Sequence, residues 1–347
     1  MVYLITGGCG FVGSAIAAEL LRRDAPVLVF DNLSRIGGPQ NLAWLKSLGP
    51  VEFLHGDSRN RSDVAEAFRN RDVGCVFHLA GQVAMTTSLR EPRKDFDTNV
   101  VGTINILEAV RSCSPGATVV YASSNKVYGD LRNPQLQETQ SRYTPAAPCS
   151  GIAEDAPLDF RTPYGCSKGA ADQYMIEYAR SFSLRTVVFR HSTIYGGRQF
   201  STFDQGWISW FCQQSLATVR HSAHTFTVNG NGKQVRDLLH VSDAVRCYLR
   251  AHDKIQQVAG QVFNIGGGIE NSMSVLELLD DLRTRLQVQL NVQHLPWRAD
   301  DQRYFVADIG KAANLLGWVP SVAKREGLDE VLSALEARNS APDAASS

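Results

Sequence analysis

Tyr164 and Lys168 stand four residues apart in "FRTPYGCSK", directly after Pro163. That spacing puts two side chains on one face only where the chain is helical. Pro163 suits a first helical turn, where its missing N–H leaves nothing unsatisfied. Thr162 before it is a reasonable N-cap, and the following "GAADQYMIEYARS" is rich in helix formers. The pattern predicts a helix from about 163 to 181, with phenol and ammonium side by side. A phenol of pKa about 10 is a poor base at neutral pH. A neighbouring ammonium favours the phenolate and lowers that pKa. Such a pair also arises by chance on helix surfaces, so its meaning depends on what the chain places beside it.

A second group lies at the start of the chain. "TGGCGFVG" carries Gly7, Gly10 and Gly13 after an apolar run and before a helical one. Glycines there permit a tight turn and let backbone N–H groups approach a pyrophosphate, and the helix N-terminus adds its positive end. The next apolar run ends at Asp31, where a carboxylate can accept both hydroxyls of an adenosine ribose and repel a 2′-phosphate. This favours NAD over NADP, although Arg35 nearby leaves room for NADP. Asp57, after the third apolar run, is a candidate for the adenine end; capping the helix that begins near Ser62 is a competing role.

The elements that must hold these residues follow from the patterning. "VYLIT", "PVLVFD", "VEFLHGD", "CVFHLA" and "TVVYASS" alternate with amphipathic runs such as "GSAIAAELLRRD" and "NVVGTINILEAVRS". Strands separated by helices of this length imply βαβ units and a parallel sheet. Continuous apolarity in the strands fits a sheet covered on both faces. Beyond "RTVVFRHSTIYG" the order loosens, glycine and asparagine cluster in "VNGNGKQ", and a helix is expected over 272–286. We therefore expect an α/β protein: a Rossmann-type doubly wound parallel sheet over 1–181, a smaller substrate-binding α/β part mainly over 182–335, and a flexible tail over 336–347. Some later strands are allowed to return to the main sheet.

The glycine spacing together with Tyr164-x-x-x-Lys168 resembles the extended short-chain dehydrogenase/reductase family, over nearly the whole chain to about residue 330. The resemblance implies a hydroxyl residue at the end of the fifth strand, and Ser124 in "YASSNKVYG" falls there. In this reading Tyr164 is the base for a sugar hydroxyl, helped by Lys168 and a positive nicotinamide. Lys168 also holds the nicotinamide ribose, and Ser124 fixes the reacting oxygen. It further implies cofactor contacts from Phe11 and Val12 on the glycine loop, Asn32 and Ser34 after Asp31, and Leu79, Ala80, Gly81 and Gln82 in "HLAGQ". Asn99 matches a family position that braces the active-site helix and is counted with the cofactor set.

Two features narrow the reaction that the resemblance implies. Dehydratases of nucleotide sugars carry Asp-Glu directly after the hydroxyl residue; here Asn125 and Lys126 stand there, which disfavours dehydration. "STIYGGRQF", "QVRDLLHV" and "WRADDQRYFVADI" resemble the nucleotide-sugar-binding segments of the group. Arg236 and Arg298 would clasp the diphosphate, or pair with Asp237 or Asp301, and Asn125, Thr193 and Gln199 would face the sugar side. Thr193 replaces an asparagine common in 4-epimerases. "NKVYG" with "YGGRQF" resembles the branch that inverts C2 of a CDP-hexose through a transient 2-keto sugar; another nucleotide sugar (GDP- or UDP-hexose, C2 or C4) is the alternative.

Bulk properties agree with such an enzyme. The 347 residues, 44% hydrophobic, can bury a large core. Lysine plus arginine equals aspartate plus glutamate at 35 each, so the chain has no charge bias toward nucleic acid or an anionic membrane. Seven scattered cysteines without Cys-x-x-Cys read as reduced, mostly buried thiols of a cytoplasmic protein. The chain opens straight into a strand pattern without an export signal. No metal-ligand spacing stands out, and His221 and His224 are expected to be solvated. The expected partners are a nucleotide-diphosphate sugar and further copies of the chain, as homodimer or homotetramer.

Overall fold

Short runs of aliphatic and β-branched residues build seven strands in the computed structural model, which describes residues 1–131, 135–298 and 301–340. They are β1 (Val2–Thr6), β2 (Val27–Asp31), β3 (Glu52–His55), β4 (Val73–His78), β5 (Thr118–Ser124), β6 (Arg185–His191) and β7 (Gln261–Ile265). All neighbours pair parallel, in the order β7-β6-β5-β4-β1-β2-β3. The period of two along each strand sends alternate side chains to opposite faces. Ile5, Val29, Phe77, Val120 and Val187 pack one way, against helices Phe11–Arg22, Gly38–Leu48 and Val241–Asp253. Leu4, Leu28, Val76, Val119 and Val188 pack the other way, against helices Arg61–Phe68, Gly102–Cys113 and Thr162–Phe182. Burial on both faces is why the strand sequences lack alternation.

The strand order reverses between β1 and β4. In a doubly wound sheet that switch point opens a crevice beyond the carboxyl ends of the strands. The loops after β1, β2 and β4 all lead into it.

The rest of the chain forms a second layer around its own core. Helices Trp207–Arg220, Val275–Leu286 and Lys324–Ser340 enclose a cluster that includes Phe211, Leu278 and Leu328. A full capping box starts the second of these: Ser274 accepts from the Glu277 amide, and Glu277 accepts from the Ser274 amide. The sequence had run this helix over 272–286, but Ser272–Ser274 is a short strand pairing with Val235–His240.

The expected division allowed later strands to return to the main sheet, and two do. β6 and β7, both beyond residue 181, are strands of the main sheet. In the other direction, the Tyr143 amide donates to the Lys233 carbonyl (3.0 Å) and the Ile152 amide to the Val306 carbonyl (2.7 Å), so the stretch around 143–152 joins the later layer. The expected tail at 336 is also displaced. The last helix continues to Ser340, because Leu335 is still buried in the second core. The remaining tail positions, 341–347, lie outside the described residues.

Candidate active site

The glycine loop crosses the crevice as tightly as its composition suggests. Gly7 has φ +67°, and a Cβ there would sit 2.7 Å from the Ala80 amide nitrogen. A Cβ on Gly13 would lie 2.3 Å from the Gly7 carbonyl oxygen, so loop and helix close on each other only without side chains. Gly10 is the N-cap of helix Phe11–Arg22 and supplies no side-chain cap, which leaves first-turn N–H groups facing the cavity.

Asp31 ends β2 with each oxygen already engaged: Cys9 N–H donates to Oδ2 (2.9 Å) and Leu33 N–H to Oδ1 (2.7 Å). Burial pushes its carboxyl up, and these amide bonds oppose the shift. The carboxylate therefore ties the glycine loop to β2 and keeps lone pairs for a ribose. Asp57 does not cap the next helix, whose N-cap is Asn60. It holds Arg59 (2.6 Å) and accepts from Asn32 Nδ2 (2.9 Å), and the Arg59 hydrogen bond brings its carboxyl down to about 2. Gly7, Gly10, Phe11, Val12, Gly13, Asp31, Asn32, Ser34, Arg35, Asp57 and the Leu79–Gln82 run all border one cavity of about 530 Å³. Asn99 is not among its lining residues. It is buried behind the wall, where its Oδ1 accepts from the Gln82 amide (2.9 Å) and its Nδ2 donates to Ser167 Oγ (2.9 Å). It braces the loop against the active-site helix, as the family position implies, and it does not border the cavity as the other members of the expected cofactor set do.

Helix Thr162–Phe182 brings Tyr164 and Lys168 to the same cavity, opposite Ser124 at the end of β5. The predicted N-cap, Thr162, is the first helical residue; it has φ +59°, and its hydroxyl lies 3.4 Å from the Gly165 amide, as a capping group's would. The lowering of the Tyr164 pKa expected from Lys168 together with a positive nicotinamide is opposed by burial. Burial pushes the phenol up to about 12, against a hydrogen bond from Ser124. Lys168 Nζ donates to the Ala122 carbonyl (2.8 Å) and sits 4.9 Å over the Tyr121 ring. Burial brings Lys168 down to about 8, while the carboxylate of Asp95 favours its charge. Burial, with the Lys168 charge second, holds His78 and His191 down to about 3, so two neutral imidazoles flank the ammonium.

A second cavity of about 250 Å³ adjoins the first; Ser192, Thr193, Gln205, Gly206 and Trp207 line both. Thr193 accepts from Trp207 Nε1 (3.2 Å). Gln199 borders the first cavity and accepts from Ser209 Oγ (2.8 Å). Arg236 pairs with Asp301 (2.9 Å), not Asp237, which is buried beside Ser192 and accepts from the Gly268 amide (3.1 Å). Arg298 pairs with Asp204 (3.8 Å) and donates to Asn229 Oδ1 (2.9 Å) and the Phe203 carbonyl (3.1 Å). Asn125 faces the same cavity and donates to Gln302 Oε1 (3.0 Å).

Sequence reasoning gave no binding role to several groups here. Lys126, Asp204, Trp207 and Asp301 all line the second cavity; "DQGW" and the acidic pair in "WRADDQRY" carried the signal. His224, expected in solvent, is partly buried and hydrogen-bonds Gln214 (2.9 Å). All seven cysteines are free, but only Cys9, Cys75, Cys212 and Cys247 are buried.

Residues 3–266 match the model of the NAD dependent epimerase/dehydratase family. The chain is 50% identical to a CDP-paratose 2-epimerase of Salmonella typhi, over 95% of this chain and 98% of that protein. It is 30% identical to a UDP-glucose 4-epimerase of Mycolicibacterium smegmatis, over 94% and 95% respectively. A UDP-glucose 4-epimerase of Thermotoga maritima, solved with UDP-glucose, superimposes with a TM-score of 0.84 at 27% identity, covering 98% of this chain and all of that one. A Thermus thermophilus UDP-glucose 4-epimerase solved with NAD superimposes at 0.81 and 28% identity, covering 97% of this chain and 99% of that one.

Proposed function

We propose an activity on one premise: this chain belongs to the NAD dependent epimerase/dehydratase family. The activity is inversion of C2 in a CDP-hexose of the paratose/tyvelose type, with NAD as the resident cofactor. The observation that carries it is full-length similarity to a CDP-paratose 2-epimerase, in a chain whose Ser124, Tyr164 and Lys168 line the same cavity as the glycine loop.

The cofactor cavity fits a dinucleotide. Gly7 and Gly13 leave no room for side chains where a pyrophosphate would approach, and Asp31 keeps acceptor capacity at the ribose end. When bound, NAD supplies the hydride acceptor and donor at C2. Tyr164 Oη takes the proton of the C2 hydroxyl and returns it after inversion. Ser124 Oγ holds the reacting oxygen, and Lys168 is the cation that favours the phenolate. Arg236 and Arg298 would bind the diphosphate, with Asn125, Thr193 and Gln199 toward the sugar. The 2-keto sugar turns over about that fixed diphosphate and presents its other face. Asn125 and Lys126 lack the acid–base pair that elimination of water needs, so the keto sugar is reduced again.

Two smaller readings belong to the same proposal. Free thiols throughout the chain suit a reducing cytoplasm, and no helix among the described residues is long and apolar enough to cross a membrane. The outer face of the active-site helix exposes Tyr174 and Phe182, which suits a homodimer or homotetramer.

The test is isotopic. Substrate deuterated at C2 should keep its label in the epimer, and unlabelled substrate turned over in D₂O should gain little deuterium there. Full solvent deuterium at C2 overturns the direct return of hydride, and a product inverted at C4 rather than C2 identifies a 4-epimerase.

A further inference from the structure

The 3-10 turn Asn125–Tyr128 follows Ser124 directly, and its Lys126 lines the second cavity beside Arg236. Both cations address one oxygen: Asp301 Oδ1 is 2.9 Å from Arg236 Nη2 and 3.6 Å from Lys126 Nζ. The opposite wall carries Arg298 with Asp204. Among the described residues that line this cavity the cations are Lys126, Arg236 and Arg298 and the carboxylates Asp204 and Asp301, an excess of positive charge that suits the two negative charges of a diphosphate diester. Arg236 has a second fixed bond, to the Val235 carbonyl (2.7 Å), and Arg298 is held by Asn229 and Phe203. Lys126 is a compact point charge on a flexible stem, suited to a phosphate oxygen.

We propose that Lys126 is a diphosphate-binding residue of this enzyme, with Asp301 as the counter-ion it shares with Arg236 until substrate arrives. Being two residues from Ser124, it would hold the phosphate that carries the sugar, the fixed point about which the keto sugar turns. This rests on the nucleotide-sugar reading above.

The charge on Lys126 is conditional. Burial brings its ammonium down to about 8; Asp301 and Asp130 favour the charged form, and Arg236 opposes it. A bound diphosphate adds negative charge beside it and raises that value. Binding then takes up a proton above about pH 8. Affinity is constant below that point and falls by up to about tenfold per pH unit above it.

The test measures CDP-glucose and UDP-glucose binding to the NAD-loaded protein by titration calorimetry, across pH about 7 to about 9. Lys126→Met should weaken the tighter-binding sugar nucleotide about ten- to a hundredfold, the size of one charge-assisted bond, and abolish the alkaline fall. Lys126→Arg should restore affinity with a flat profile, since arginine keeps its charge. NAD content and thermal midpoint report folding in each variant. Should the Met variant lose NAD, the flat profile of the Arg variant decides alone. Affinity within twofold of wild type in the Met variant, or an alkaline fall that persists in either variant, overturns the proposal. UDP-glucose binding tighter than CDP-glucose would instead overturn the choice of base and leave the Lys126 comparison readable.

Discussion

Tyr164 is a neutral phenol at neutral pH even at its ordinary pKa, and burial makes its ionisation harder still. Its phenol stands at about 12 and the Lys168 ammonium at about 8, so at neutral pH the resting pair is a phenol and an ammonium. Catalysis then depends on positive charge arriving at the site. Tyr164→Phe should cut kcat about 10²–10⁴-fold, the usual range for a general base, while bound NAD measured by absorbance stays unchanged; a loss below about tenfold would remove Tyr164 from that role. The sign of the pH effect follows from Lys168. It is charged below about 8, so kcat should fall as pH rises past that point. The limb sits in kcat, whereas that of Lys126 sits in substrate affinity, and saturating substrate separates them.

At the scale of elements, the segment following the Thr193–Tyr195 strand forms a strap against the start of helix Gly38–Leu48. Phe200 packs on Gly37, where φ is +85° and a Cβ would lie 2.1 Å from the ring. Arg338, from the last helix, covers the other side of Phe200 at 4.2 Å and donates to the Gly197 carbonyl (2.7 Å). Arg198 lies 4.2 Å over Trp44 and donates to Asn41 Oδ1 (3.2 Å), and Asn41 Nδ2 donates to the Cys9 carbonyl of the glycine loop (3.1 Å). Strap, second helix and glycine loop are thus one chain of contacts. Phe200→Ala should shorten NAD retention, read as faster exchange with added labelled NAD, without changing the C2 specificity of turnover. An exchange rate equal to wild type would show that the strap does not hold the cofactor.

Across the molecule, the last part of the chain returns to the first. Trp318 is 1% exposed, packs in the cluster built on helix Phe11–Arg22, and donates Nε1–H to the Asp243 carbonyl (2.9 Å). The same Asp243 carboxylate accepts from the Ser321 and Val322 amides (2.9 Å each), which fixes the chain on its way to the final helix. Trp318→Ala should cost about 3–5 kcal/mol, read as a lower denaturant midpoint, and should weaken the strap because the Arg338 helix follows. A midpoint equal to wild type would mean that the two parts are stable independently.

The parts legible in the sequence are those governed by local rules. The glycine spacing, the βαβ alternation and the Tyr164–Lys168 helix depend on φ, on periodicity and on one helical turn, all of which a short window contains. Tertiary structure decided the rest, because it depends on partners far along the chain. Only folding sets Asp301 against Lys126 and Arg236, moves Asn99 behind the cavity wall, and brings β6 and β7 into the first sheet. The Tyr164 pKa belongs with these. Sequence proximity to Lys168 argued for a lower value, but desolvation acts through everything packed around the ring and raises it.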